Sequence, residues 1–187
     1  MLHITNSSFY TCQPKTKDEL KEIIIERIIY DGHECDLNDI DVSKITDMSF
    51  LFDANTIYGG NDIFRNFNGD ISLWNVSNVT NMKYMFCECK KFNSDLSKWD
   101  VSNVKDMGLM FDRCKNFNSD ISQWNVLNVT NMKCMFYECE NFDCDISKWD
   151  VSNVKDMSYM FYRCANFNCD ISSWNISDLT DITRLFY

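Results

Sequence analysis

From residue 35 onward, apolar and polar positions alternate in one phrase that returns again and again. Trp74, Trp99, Trp124, Trp149 and Trp174 are each 25 residues apart. Around each lies the same order of residues. One copy reads Asp145-Ile146-Ser147-Lys148-Trp149-Asp150-Val151, then Ser152-Asn153-Val154-Lys155-Asp156-Met157, Met160-Phe161, Cys164 and Phe167-Asn168. A degenerate first copy opens at Asp36, with Ile40 in the Trp position. Self-similarity at such a period is the signature of a stacked repeat, in which each unit buries its apolar face only against its neighbours. Within a copy, Val79, Met82, Met85, Phe86 and Cys89 step by three and four, which predicts a short helical turn. The Asp-Ile-Ser piece predicts a short strand, and stacked copies of it would pair in parallel about 4.8 Å apart. The expected fold is therefore an α/β solenoid of about six 25-residue coils spanning residues 35–187.

Two departures from the period stand out. The Asp that opens the phrase falls at Asp36, Asp70, Asp95, Asp120, Asp145 and Asp170, so the first interval is longer than the rest. The surplus centres on Tyr58-Gly59-Gly60 and predicts a loop over about 53–64. Ahead of the repeats, residues 1–34 differ in kind. Thr16 and Glu19 have the spacing of a capping box. Leu20, Ile23, Ile24 and Ile28 then follow at helical intervals. This predicts an amphipathic helix over about 17–30 that seals the first coil.

The long phrase, present six times, resembles the repeats of the BspA-like leucine-rich-repeat surface proteins, which occur in bacteria, protists and giant DNA viruses. The likeness covers roughly residues 35–187, and the helix leader resembles that family's usual one. It implies a leucine-rich-repeat-like stack with adhesion or interaction roles, and no enzyme. Residues 1–13 carry no basic region followed by an apolar stretch, so no signal peptide is read there. The expected setting is cytoplasmic, intracellular or virion-associated.

Composition narrows the partners. Of the 187 residues, 45% are apolar, with five Trp, fourteen Phe and eight Tyr. The net charge of −10 repels phosphate backbones, and no basic stripe appears, so nucleic acid is not expected as a partner. No run of 18 apolar residues exists to span a bilayer. Ten Cys without a secretion signal read as reduced thiols.

Repeat columns supply the candidate sites. The Trp, Met and Phe columns read as core. The Asp column reads as carboxylates accepting backbone N–H groups at turns, with calcium between coils as the alternative. Cys89, Cys114, Cys139 and Cys164 recur singly on an apolar face and read as buried thiols, since zinc wants four ligands and the only His are His3 and His33. Cys144 and Cys169 are the pair best placed for a disulfide under oxidation. His33-Glu34-Cys35 reads as the entry to the first coil. No catalytic residues, metal ligands or cofactor site are read, because acids repeated equally in every coil mark no unique place. Glu88, Arg113, Glu138 and Arg163 alternate in sign one repeat apart, a charge ladder between coils. Outside the apolar face fall Tyr84, Leu109, Cys134 and Tyr159 in one column, and Cys87, Asp112, Tyr137 and Tyr162 in the next. Tyr84, Leu109, Tyr137, Tyr159 and Tyr162 form the candidate partner-binding surface, Tyr being a favoured interface anchor. The last copy stops early, and Ile171, Ile182, Leu185 and Phe186 mark a candidate self-association end with the capacity for a homodimer. The expected function is a non-enzymatic protein-interaction module, with a structural, self-assembling component, for example of a viral particle or surface layer, as the competing reading and an enzyme as a remote third.

Overall fold

The computed structural model describes residues 10–187, with Tyr58 described by its main chain only. It overturns the α/β solenoid. Among the described residues there is one α-helix, two short 3-10 turns at Thr56–Tyr58 and Asp62–Asn66, and no strand longer than an isolated bridge. The bridges are parallel and link successive copies, as in Asn81↔Asp106, Asp106↔Asn131, Asn131↔Asp156 and Asp156↔Asp181. The repeats do stack, but each coil is a chain of β-turns.

The segment with the three-and-four spacing shows why. Met110 N–H bonds Met107 O, Asp112 N–H bonds Leu109 O, and Cys114 N–H bonds Phe111 O. These are overlapping i→i+3 turns. Leu109 and Arg113 sit in the left-handed region at φ 55° and 58°, as the third residue of a type II turn requires. Their counterparts in neighbouring coils do the same, namely Tyr84, Glu88, Cys134, Glu138, Tyr159 and Arg163. Repeated left-handed residues forbid a helix. They also free alternate N–H groups to point along the stack. Met107, Leu109, Phe111 and Arg113 donate to Asn131, Lys133, Met135 and Tyr137 of the next coil at 2.7–3.0 Å.

The Asp-Ile-Ser piece is likewise a turn and no strand. Each Asp folds back on its own chain: Asp95 Oδ1 accepts Ser97 N–H at 2.9 Å and Asp145 Oδ1 accepts Ser147 N–H at 3.0 Å. Trp99 N–H then closes a turn on Leu96 O. A carboxylate two residues before an N–H offers the backbone this local alternative to a sheet ladder.

Other residues of the phrase bind coil to coil. Trp124 Nε1 donates to Leu96 O at 3.0 Å, and Trp149 Nε1 to Ile121 O at 3.1 Å. Asn128 and Asn153 donate their amides to Ser102 O and Leu127 O at 2.7 and 2.9 Å. The Cys114 and Cys139 thiols donate to Phe86 O and Phe111 O, each at 2.9 Å. The apolar residues between these bonds form one continuous core. Phe86, Phe111, Phe136 and Phe161 stack in file with centroids 5.6–5.9 Å apart. A second file, Phe92, Phe117, Phe142 and Phe167, runs beside it at 5.8–6.2 Å.

Helix α1, Lys17–Asp31, covers the first coil. Thr16 accepts Glu19 N–H, the first half of the capping box, while Glu19 Oε2 reaches back to Lys15 N–H, one residue before the cap. Leu20, Ile24 and Ile28 are buried in the common core. Lys17 Nζ reaches Asp47 and Ser49, and Lys21 Nζ reaches Phe50 O at 2.8 Å.

Candidate functional site

The outward columns meet as one surface in the later coils. Tyr137, Tyr162 and Tyr187 stack face to face, with centroids 4.9 and 5.1 Å apart. Tyr159 leans on Tyr162 at 5.9 Å. Three guanidinium groups lie over these rings: Arg113 over Tyr137 at 5.4 Å, Arg163 over Tyr162 at 5.3 Å and Arg184 over Tyr159 at 5.8 Å. Three of the chain's five Arg therefore sit on one aromatic face of an acidic protein. The left-handed turns explain this placement, because they turn positions 159, 163 and 184 out of the core while holding the coils one ring-thickness apart.

The sequence-derived residues do not all share that face. Tyr84 lies an end away, stacked on Phe50 at 4.7 Å with Lys83 over its ring. Leu109 and Cys134 are half-buried between them. Cys87 and Asp112, expected outside with Tyr137 and Tyr162, are buried at 0% and 4% exposure. Sequence spacing gave no sign of this, because their column is outward in later coils.

Glu88, Arg113, Glu138 and Arg163 form a continuous ion ladder. Arg113 Nε is 3.3 Å from Glu138 and its Nη1 3.6 Å from Glu88, while Arg163 Nη1 is 3.2 Å from Glu138. Arg65, from the inserted segment, extends it to Glu88 at 2.9 Å. The sequence reading missed Arg65 because it stands outside the repeat register.

The thiols are poor nucleophiles. Burial pushes Cys89, Cys114 and Cys139 well up, and Cys164 up to about 12. Cys144 and Cys169 are both free, and each thiol faces an aspartate of the preceding coil, Asp120 and Asp145. Within the Asp column, Asp95 and Asp170 are held low by the Ser two residues on, through its N–H and hydroxyl. Among the described residues no cluster of three His, Cys, Asp or Glu is arranged to hold a metal ion. His33 lines a cleft of about 420 Å³ with Glu34, Asn66, Asn68, Lys91 and Asn116, and its C=O accepts Asn68 N–H where the second coil passes. Among the described residues, no helix is long and apolar enough to cross a membrane.

In the last coil, Leu185 is buried, Ile171 is half-buried, and Ile182 and Phe186 are about half exposed. Met157, Tyr159 and Phe161 donate to Asp181, Thr183 and Leu185. The corresponding N–H groups of Ile182, Arg184 and Phe186 have no acceptor among the described residues.

The family model described as "Mycoplasma protein of unknown function, DUF285" matches residues 25–132 and 110–187. The chain belongs to this family. The DUF285 match takes in every coil and the C-terminal part of α1, so the turn-built stack and its Tyr–Arg face lie wholly inside it. No curated protein and no solved structure matches the chain.

Proposed function

We propose that this DUF285 chain is a non-enzymatic protein-interaction module that docks a protein partner on its Tyr–Arg face. The observation that carries the reading is the stack of Tyr137, Tyr162 and Tyr187 with Arg113, Arg163 and Arg184 laid over the tyrosine surface. Tyr and Arg are the residues enriched at interface hot spots. Here they are already ordered by stacking, so little side-chain freedom is lost on binding. The leucine-rich-repeat kinship of the sequence phrase, and the association of BspA-like surface proteins with DUF285, support an adhesion or interaction role. The raised thiols, and acids used in turns and ladders, favour a surface over a catalytic centre.

The double variant Tyr137→Ala/Tyr162→Ala tests this reading. It is expected to lose proteins that cross-link to the unmodified chain in its native setting, while its thermal melt stays within a few degrees of the parent. Unaltered cross-linking would remove this face as the docking surface.

A second reading, a self-assembling structural component, draws on the last coil, where Leu179, Ile182, Phe186 and Tyr187 are exposed. Its geometry bears on the form of assembly. The N–H groups of Ile182, Arg184 and Phe186 on that edge are donors that a partner edge offering carbonyls would satisfy. Mass in solution across a concentration series separates this reading from the first.

A further inference from the structure

The column that runs out through Tyr137, Tyr162 and Tyr187 begins with Asp53, Cys87 and Asp112, all buried. The Cys87 thiol stands between two carboxyl groups. Its Sγ is 3.6 Å from Asp112 Oδ2, and the Asp53 carboxyl lies near it on the other side. A thiol has one proton and serves one acceptor, so the two carboxyl groups are not equivalent.

Burial raises the Asp53 carboxyl too, but Asp53 has partners for its anion that Asp112 lacks. Asp53 Oδ1 accepts Asn55 N–H at 2.9 Å, and the Lys21 ammonium attracts it. Asp112 receives no backbone N–H. Its Oδ1 is buried and has no hydrogen-bond partner. Its one cation, Arg113, reaches Oδ2 only at 3.6 Å and is shared with Glu88 and Glu138. Around Asp112, then, one guanidinium faces two other carboxylates, and the Cys134 thiol of the next coil lies near. A buried ionised carboxylate so poorly partnered costs several kcal/mol, and such a group keeps its proton instead.

We propose that Asp112 is a proton-binding switch in the middle of the stack, neutral in the folded protein around neutral pH and charged above it. In the neutral state the Asp112 O–H donates to Cys87 Sγ, and the Cys87 S–H turns to the Asp53 carboxylate, so one proton satisfies the line across three coils. On ionisation the proton leaves to solvent, no other bond changes, and a buried carboxylate is left beside Glu88 and Glu138. The coil carrying Arg113 then loosens to admit water. Burial raises the Asp112 carboxyl to about 7, which sets the range in which the switch acts.

The sign follows from the direction of the shift. The folded carboxyl sits above its unfolded value, so its stabilising effect is complete below about 4 and is lost as the pH climbs through about 7. Two measurements test the switch. In a carboxyl-carbon NMR titration of the full chain with labelled Asp, a resonance absent from Asp112→Asn is expected to titrate near neutrality. In urea unfolding, the parent is expected to lose stability relative to Asp112→Asn as the pH rises from about 5 to about 8. A difference between the two proteins that stays constant over that range overturns the proposal. Should Asp112→Asn fail to fold, the parent titration alone decides, and the absence of any Asp resonance titrating above about 5.5 overturns it.

Discussion

Trp124 is tied to the stack by two kinds of contact. Its indole is 4% exposed and tilts against Phe111 at 6.4 Å, while its Nε1 donates to Leu96 O in the preceding coil. Removing the ring opens a cavity shared by two coils and takes away one of the two hydrogen bonds that Leu96 O accepts, the other coming from Trp99 N–H. Trp124→Ala is expected to destabilise by about 3–5 kcal/mol, the range for aromatic truncation in a core. Trp124→Phe keeps most of the apolar contact and loses the bond, while Leu96 O keeps its bond from Trp99 N–H, and should cost about 0.5–1.5 kcal/mol. Urea midpoints of the two variants check both values. A loss below about 1 kcal/mol in Trp124→Ala would mean the indole contributes little to the core.

At the scale of the turn element, the left-handed positions carry the architecture. Arg163, at φ 56°, is held there by the turn it closes and by coil-to-coil bonding of its neighbours. An L-residue in that region carries roughly 1–2 kcal/mol of backbone strain that glycine does not, offset in part by glycine's greater freedom when unfolded. Arg163→Gly is therefore expected to be more stable than Arg163→Ala by about 1 kcal/mol. Equal stabilities in thermal melts would contradict a left-handed residue 163.

The same turns mark the limit of what the sequence made legible. The 25-residue period places Trp, Phe, Cys and Asn in columns because every such residue contacts its own copy's neighbours, and spacing alone reports that. The capping box at Thr16 and Glu19 is equally local and equally readable. The backbone path is different. Steps of three and four fit an α-helix and a series of i→i+3 turns alike, and nothing in Tyr84, Glu88, Leu109 or Arg113 announces a positive φ, since no glycine stands there. Asp-Ile-Ser has a strand's alternation, but its Asp bonds the N–H two residues on. In the candidate site, the tyrosine column was visible by register. The burial of Cys87 and Asp112 was not, because one column passes from core to surface along the stack, and Arg65 joined the ion ladder from outside the period.

Across the whole molecule, bonds between coils run both ways in a fixed pattern. In the segment of left-handed turns, alternate N–H groups point to the next coil, as from Met107 to Arg113, and alternate carbonyls receive bonds from the one before. Thr80, Lys105, Thr130 and Lys155 N–H groups donate the other way, to the coil before, so each face of a coil offers both donors and carbonyls, while α1 packs on the first coil through Leu20, Ile24 and Ile28. A chain of net charge −10 is held in this order by stacked rings and directed bonds, with the ion ladder adding alternation of sign. The Tyr–Arg face and the Asp112 site both depend on it, because each is a column of side chains kept in register by the coils. The most direct test is residue-resolved amide hydrogen exchange on the full chain. The account requires Met132, Cys134, Phe136 and Glu138, and likewise Met157, Tyr159 and Phe161, to be protected by donation to the following coil, and the equivalent amides of Ile182, Arg184 and Phe186 to exchange quickly. Rapid exchange at Met132, Cys134, Phe136 and Glu138, or protection confined to a helical i→i+4 pattern in those segments, would contradict it.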